Sequence, residues 1–281
     1  MQSDGAFLEQ YQAEKALRLR LLQASSYAER YHIATEGYND FVRSFPAMGP
    51  HGFRADLKRR QKSTKSQLGL LNRYLKPDTV FLELGCGACV LCLEAAKRVR
   101  HVIGLDISSE IVNFDFISYN LNLVIGNACT LDDIPDNSVD VAYSTDLIEH
   151  LHPDDAQMHV REVQRVLFNN GVYICITPNR VTGPHDVSRH FGFRVADGLH
   201  LKEYSCSELV HLFKEAGFYC HRALIGAKAT YIHIPIWILL AIEYIIEALP
   251  SYLSRAFLHL PLMERVLSPV RLICLKAVRK Q

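Results

Sequence analysis

The 281 residues are 49% hydrophobic and 22% charged, enough for one large α/β domain with additions or two small domains, and too apolar for a disordered tail. The 31 basic and 30 acidic side chains leave a formal charge of +1, which excludes a global field that would gather nucleic acid or an anionic membrane. One local basic stretch, Arg54, Lys58, Arg59, Arg60, Lys62 and Lys65, reads as a solvated helix face.

In chain order, the N-terminus is charged throughout and lacks the apolar run of a secretory signal. Residues 1–74 read as a helical cap. Aromatic residues recur at Phe7, Tyr11, Tyr27, Tyr31, Tyr38 and Phe41, and Phe45, Pro46, Gly49 and Pro50 end the first region before a helix over 57–74. Short apolar runs at 79–84, 102–107, 123–126, 139–144 and 172–177 then predict buried parallel strands. Between them, 91–99 and 154–167 carry helical spacing, Ser108 and Ser109 are N-cap candidates, and Asn169-Asn170-Gly171 ends the second helix. Ser205 caps a helix to about Ala216, and 218–225 with 272–278 are a candidate antiparallel pair. The alternation predicts a Rossmann-like, doubly wound, mostly parallel seven-stranded α/β sheet over 75–227 and 270–281. The eight cysteines lie mostly in apolar runs, so a reducing cytoplasmic setting is expected.

Residues 228–269 interrupt this domain as an apolar helical insert. Its unbroken run, 234–242, is short of the roughly 20 residues that span a membrane, and Glu243 and Glu247, one turn apart, would be costly in lipid. The insert has three readings: a lid or wall of the acceptor pocket, a core or homodimer helix, or a peripheral membrane contact through 232–262.

The sharpest motif is Glu83-Leu84-Gly85-Cys86-Gly87-Ala88-Cys89, which follows a strand and opens a helix. Gly85 permits a tight turn, and Gly87 lets the backbone approach a ligand. Asp106, ending the next strand, can take the two hydroxyls of a ribose. A nicotinamide dinucleotide would call for GxGxxG, but the third site is Val90, and Glu83 would repel a pyrophosphate. An acidic loop suits a cationic ligand instead, the sulfonium and ammonium of S-adenosylmethionine. Cys86, Cys89 and Cys92 echo part of an iron–sulfur ligand run, without a fourth cysteine at the expected spacing.

The ordered series VFLELGCGACVLCLEAAKR, VIGLDIS and GNACTLDDIPDNSVDVAYSTDLIEHL resembles the motif set of class I S-adenosylmethionine-dependent methyltransferases, over roughly 75–225. TPNRVTGPHDVSRHF with HLKEYS resembles their quinol and natural-product O-methyltransferase subset. The resemblance implies that Glu83 organises the loop and the donor's amino group, and that Gly85 and Gly87 contact the methionine moiety, with Cys86 between them in the cofactor set. It implies that Asp106 binds the ribose with Ile107 against the adenine. Asn127 and Ala128 would meet the adenine edge, the Asn127 carbonyl accepting from the exocyclic amine. Thr145 is placed with this cofactor set, and Cys89 stands where a third glycine is usual.

The fourth strand delivers Thr145-Asp146-Leu147-Ile148-Glu149-His150 to the C-terminal edge of the sheet, beside the cofactor. His150, with an unperturbed pKa near ~6.5, is the candidate general base, with Glu149 beside it; the alternative is that both brace the loop 151–153. Asp146, Glu149, His150 and His185 or His190 are also candidate ligands of a divalent metal. Quinol and small-RNA terminal 2′-O-methyltransferases, by resemblance, hold such an ion with a Glu-His pair, although no metal motif here is complete by spacing. His185, His190, His200 and Tyr204 on later loops are candidate acceptor contacts. The expected function is O-methylation of a small, partly apolar acceptor: a quinol, phenol, lipid-like metabolite or natural product. The alternatives are an RNA 2′-O-methyltransferase, which would need a basic, aromatic-lined channel, and a non-catalytic adapter that keeps the fold.

Overall fold

An eight-stranded sheet, in the order 3-2-1-4-5-8-6-7, organises the chain. The structure is a computed structural model describing residues 4–45, 57–111, 118–227, 230–258, 260, 263 and 266–276. Strand β1 (Val80–Leu84) is buried along its length, which is why its sequence is continuously apolar around one acid. Parallel neighbours β2 (His101–Asp106) and β4 (Val139–Thr145) flank it, with β3 (Leu121–Ile125) beyond β2 and β5 (Leu167–Thr177) beyond β4. Strand β8 (Val270–Lys276) runs antiparallel between β5 and β6 (Phe218–Ala227), and β7 (Thr230–Pro235) forms the far edge. The strand order reverses between β1 and β4, and a crevice opens there at the strands' C-terminal ends.

Helices α3 (Leu57–Leu71) and α4 (Val90–Ala96) bury Leu71, Leu91 and Cys92 on one face, against Phe81, Val102 and Ile174. Helices α5 (Pro153–Val166), α6 (Cys206–Glu215) and α7 (Ile236–Ala248) cover the other, against Leu82, Leu84, Tyr173 and Leu272. The N-terminal pair α1 (Asp4–Gln23) and α2 (Tyr27–Ser44) packs through Leu17, Leu21 and Ile33 onto Leu199 and Leu201. A Cβ at Gly37 would run into the Leu17 methyls, so glycine sets how closely α1 and α2 approach. The cap is clamped to the domain by Arg30 of α2, whose guanidinium donates to both oxygens of Asp155 on α5 at 2.7 and 2.6 Å.

The sheet has one strand more than the seven expected. Residues 230–235, read as part of a helical insert, pair antiparallel with β6 because their side chains alternate across the sheet. The rest of the insert contains α7 and α8 (Ser251–Leu258). Glu243 is buried and docks α7 on the domain: its carboxylate accepts from the backbone N–H of Cys206 (2.8 Å) and Ser207 (2.9 Å), the first turn of α6. A second correction concerns Asn169-Asn170-Gly171, which lie inside β5 rather than ending α5; the strand bulges there, with Asn170 at φ +63°. The breakers Pro46, Gly49 and Pro50, the helix expected after Ser109, and the side chains from Arg54 to Lys62 lie outside the described residues. No helix among the described residues is long and apolar enough to cross a membrane.

Candidate active site

The loop after β1 forms the floor of a cavity of about 470 Å³, within the ~300–1,000 Å³ typical of small-molecule sites. Gly85 (φ +72°) and Gly87 (φ +51°) are both left-handed, the conformation that favours glycine. The amides of Gly85 and Cys86 donate to Leu105 O, and Gly87 N–H donates to the Asp106 carboxylate at 2.8 Å. Ser108 N–H donates to the same carboxylate at 3.0 Å, so Asp106 ties the loop to the end of β2. Cys89 adopts the third left-handed position (φ +59°), where it opens α4 with its side chain turned out of the cavity. Every residue expected to hold the cofactor lines the cavity: Glu83, Gly85, Cys86, Gly87, Asp106, Ile107, Asn127, Ala128 and Thr145.

Burial pushes the Glu83 carboxyl up to about 8, with Cys89 and Asp106 adding to the effect, while the Cys92 thiol donates to it at 2.9 Å. Asn127 is already engaged on one side. Its Oδ1 accepts from Cys129 N–H at 2.6 Å, which holds the amide in place and leaves that oxygen a second lone pair. Below it, His159 Nδ1 donates to Ala128 O at 2.8 Å and fixes that loop from the core.

The N-terminal helices, expected to cover the cofactor, supply walls of this cavity through Leu21, Arg30, Tyr31, Ala34, Tyr38 and Val42, joined by Ser63, Thr64 and Gln67 of α3. Tyr31 and Tyr38 sit seven residues apart on one helical face, a spacing that by itself signals only a common face. No described residue of the insert lines this cavity, so its reading as a pocket wall or lid is not supported there.

At the edge beyond β4, His150 lines the cavity, as does Asp146, held at φ +52°. Leu199 O can only accept, so His150 Nδ1, 3.2 Å away, carries the hydrogen and Nε2 keeps its lone pair. Burial, then the neighbouring His200, pushes the His150 pKa down to about 3, so the expectation of a base poised near neutrality does not hold. Glu149 is fully buried behind the cavity wall; one carboxylate oxygen accepts from Thr177 Oγ1 at 2.8 Å and Oε1 has no hydrogen-bond partner. His200 hydrogen-bonds Glu203 at 2.7 Å and meets the His150 ring edge-on at 4.9 Å.

The other expected acceptor contacts fall outside the cavity. His185 hydrogen-bonds Thr182 Oγ1 within its own loop (3.0 Å), His190 is exposed and packs on Phe7, and Tyr204 is a core residue. Among the described residues, the groups able to converge on a metal are Glu149, His150 and His200, with one ligand atom each inside 4.8 Å of the others. His200 thus takes the place expected of Asp146 and His185, because its loop folds back beside β4. The three loop thiols do not form such a group.

Residues 82–175 match the family model described as a methyltransferase domain. Over those residues the chain thus carries a methyltransferase domain. A protein of Mycolicibacterium smegmatis named as an S-adenosylmethionine-dependent methyltransferase is 36% identical over 138 residues, 49% of this chain and 51% of that protein. One from Mycobacterium tuberculosis is 33% identical over the same length, 49% of this chain and 47% of its own. The chain thus spans about half the length of the curated relatives it matches. Among solved structures, the methyltransferase fold recurs in the complex of the Haloferax volcanii Trm112 methyltransferase activator with a methyltransferase (TM-score 0.59, 16% identity, 86% of this chain and 99% of that one). It recurs in Burkholderia thailandensis 1,6-didemethyltoxoflavin-N1-methyltransferase, bound to its acceptor and S-adenosylhomocysteine (TM-score 0.55, 14% identity, 91% and 92%).

S-adenosylmethionine is the cofactor of the methyltransferase domain, and the cradle fits it. Among the described residues no lysine or arginine pairs with Glu83 or Asp106, and Arg30, the cation in the cavity wall, is taken up by Asp155, so the buried Glu83 and half-buried Asp106 are left without a protein counter-ion. Gly85 and Gly87 keep the adjoining backbone bare, and Asp106 stands where a diol can reach it.

Proposed function

We propose that the methyltransferase transfers a methyl group to a hydroxyl oxygen of a small, partly apolar acceptor such as a quinol, phenol or lipid-like metabolite. The observation that carries this reading is the free Nε2 of a neutral His150 in the cavity wall, close to apolar Leu21, Leu147 and Leu201. Bound S-adenosylmethionine supplies an electrophilic methyl carbon. The protein's part is to exclude water, to hold the acceptor in line and to receive its proton. The α1–α2 cap closes over the donor side, and His150 Nε2 accepts the hydroxyl's hydrogen bond and so aims an oxygen lone pair at the methyl. A neutral, weakly basic imidazole suits acceptors acidic enough to lose a proton readily, which favours phenols and quinols over plain alcohols. The unpartnered Glu149 Oε1, with His150 and His200, supports a second arrangement, in which a divalent cation there lowers the cost of ionising the hydroxyl.

A labelled-methyl screen over quinols, phenols, aliphatic alcohols and short RNA, in EDTA and in Mg²⁺ or Mn²⁺, tests the reading. The expected outcome is phenol or quinol labelling, lost in His150→Ala while donor affinity stays close to wild type. Preferential labelling of RNA, or full turnover by His150→Ala, would refute it.

A further inference from the structure

We propose that Cys86 and Cys89 are a peroxide-sensitive thiol pair whose disulfide disables the donor-binding loop. The inference rests on the reading that this loop holds S-adenosylmethionine. A turn closed by Cys89 N–H donating to Cys86 O at 2.9 Å brings the two sulfurs to 3.4 Å, and a disulfide needs ~2.05 Å. Cys86 lines the cavity, and Cys89 lies directly behind it, 1% exposed. The third thiol, Cys92, lies beside both, but its hydrogen is donated to the Glu83 carboxyl at 2.9 Å. Cys89 sits at φ +59°, where glycine would be free of strain, so the chain carries sulfur at a position whose backbone does not favour a side chain.

The chemistry balances with hydrogen peroxide as oxidant. Cys86 attacks peroxide as its thiolate, the O–O bond breaks, and the displaced hydroxide takes up the proton the thiol gave up, so a sulfenic acid and one water form. The Cys89 sulfur then displaces the sulfenic hydroxyl, which leaves with the Cys89 proton as a second water, and the S–S bond forms. Two thiols lose one electron each and peroxide takes both. The new ring encloses Gly87, whose N–H donates to Asp106, so oxidation re-aims the amide that ties the loop to the ribose-binding acid. A bound donor covers Cys86 and shields the pair.

The test treats the whole reduced chain with peroxide, with and without saturating S-adenosylhomocysteine. Non-reducing peptide mass spectrometry maps the linkage, and calorimetry follows S-adenosylmethionine affinity. The expected result is a Cys86–Cys89 disulfide in the free protein, suppressed by the ligand. Affinity should fall at least tenfold, and dithiothreitol should restore it. Cys89→Gly and Cys89→Ser should lose the peroxide response, whatever their starting affinity. A linkage through Cys92, an unchanged affinity after Cys86–Cys89 closure, or a wild-type response in both variants would overturn the proposal. If the reduced wild type binds no donor, the cofactor reading fails instead, and the mapping still decides on the thiol pair.

Discussion

Replacing Glu83 by Gln keeps the side chain's shape and an acceptor for the Cys92 thiol, and removes only the ability to carry charge. The carboxyl is 5% exposed and burial pushes its pKa up to about 8, so near neutrality the free protein holds it largely protonated. A cationic donor favours the carboxylate, so binding must release a proton. The sign follows: from the ordinary carboxyl pKa of 4.5 up to about 8, donor affinity rises with pH by at most about tenfold per unit, and it is flat above that. Folding stability of the free protein runs the other way. In that window the unfolded chain binds fewer protons than the native one, so stability falls by up to about 1.4 kcal/mol per pH unit. In Glu83→Gln the affinity slope should vanish. Affinity at pH 8 should drop about 10- to 150-fold, the equivalent of a charge-assisted hydrogen bond of ~1.5–3 kcal/mol. The stability slope should shrink without disappearing, because Glu149 is also pushed up to about 8 by burial. Calorimetry in buffers of different ionisation enthalpy counts the released proton directly. An unchanged affinity slope in Glu83→Gln, or no proton release by the wild type, would refute the reasoning.

Two further predictions concern the framework. Arg30 and Asp155 are 11% and 8% exposed, so Asp155→Ala strands a nearly buried guanidinium and should cost ~3–5 kcal/mol, while Arg30→Met with Asp155→Leu should recover most of that. Urea unfolding of the four-member cycle measures the coupling, and a value near zero would show that the clamp does not hold the cap. Glu243→Ala should strand the amides of Cys206 and Ser207 at ~1–3 kcal/mol each and speed hydrogen exchange in the first turn of α6; Glu243→Gln, which keeps one acceptor, should cost less. Equal effects of the two variants would contradict the anchoring role.

Where backbone geometry dictates residue type, the chain could be read directly. Gly85 and Gly87 announce left-handed positions, and an acid ends the next strand beside them; all of them line one cavity. Strand β7 was hidden because its alternation, Tyr231-Ile232-His233-Ile234, runs without a break into the apolar helix α7. Contacts between distant segments carried no signal at all. Arg30 meets Asp155 across 125 positions, and Tyr38 reaches the cavity only because the cap folds over it. Glu243 was read as a cost in lipid, and what it does is satisfy two amides on α6.

The same division explains why the donor side was more legible than the acceptor side. A donor common to many enzymes is held by a loop whose constraints are local. In the proposed function the acceptor side depends on His150, whose behaviour is set by partners that the chain brings from elsewhere: Leu199 pins Nδ1, and His200 crowds the ring. Counting residue types gave His150 the basicity of a solvated imidazole, whereas burial and a second histidine keep it neutral and weakly basic. An imidazole of that kind contributes through direction more than through proton affinity. In the proposed reaction its worth would lie in aiming an acceptor oxygen along the line of displacement, where a misplacement of about 1 Å can cost roughly a hundredfold in rate.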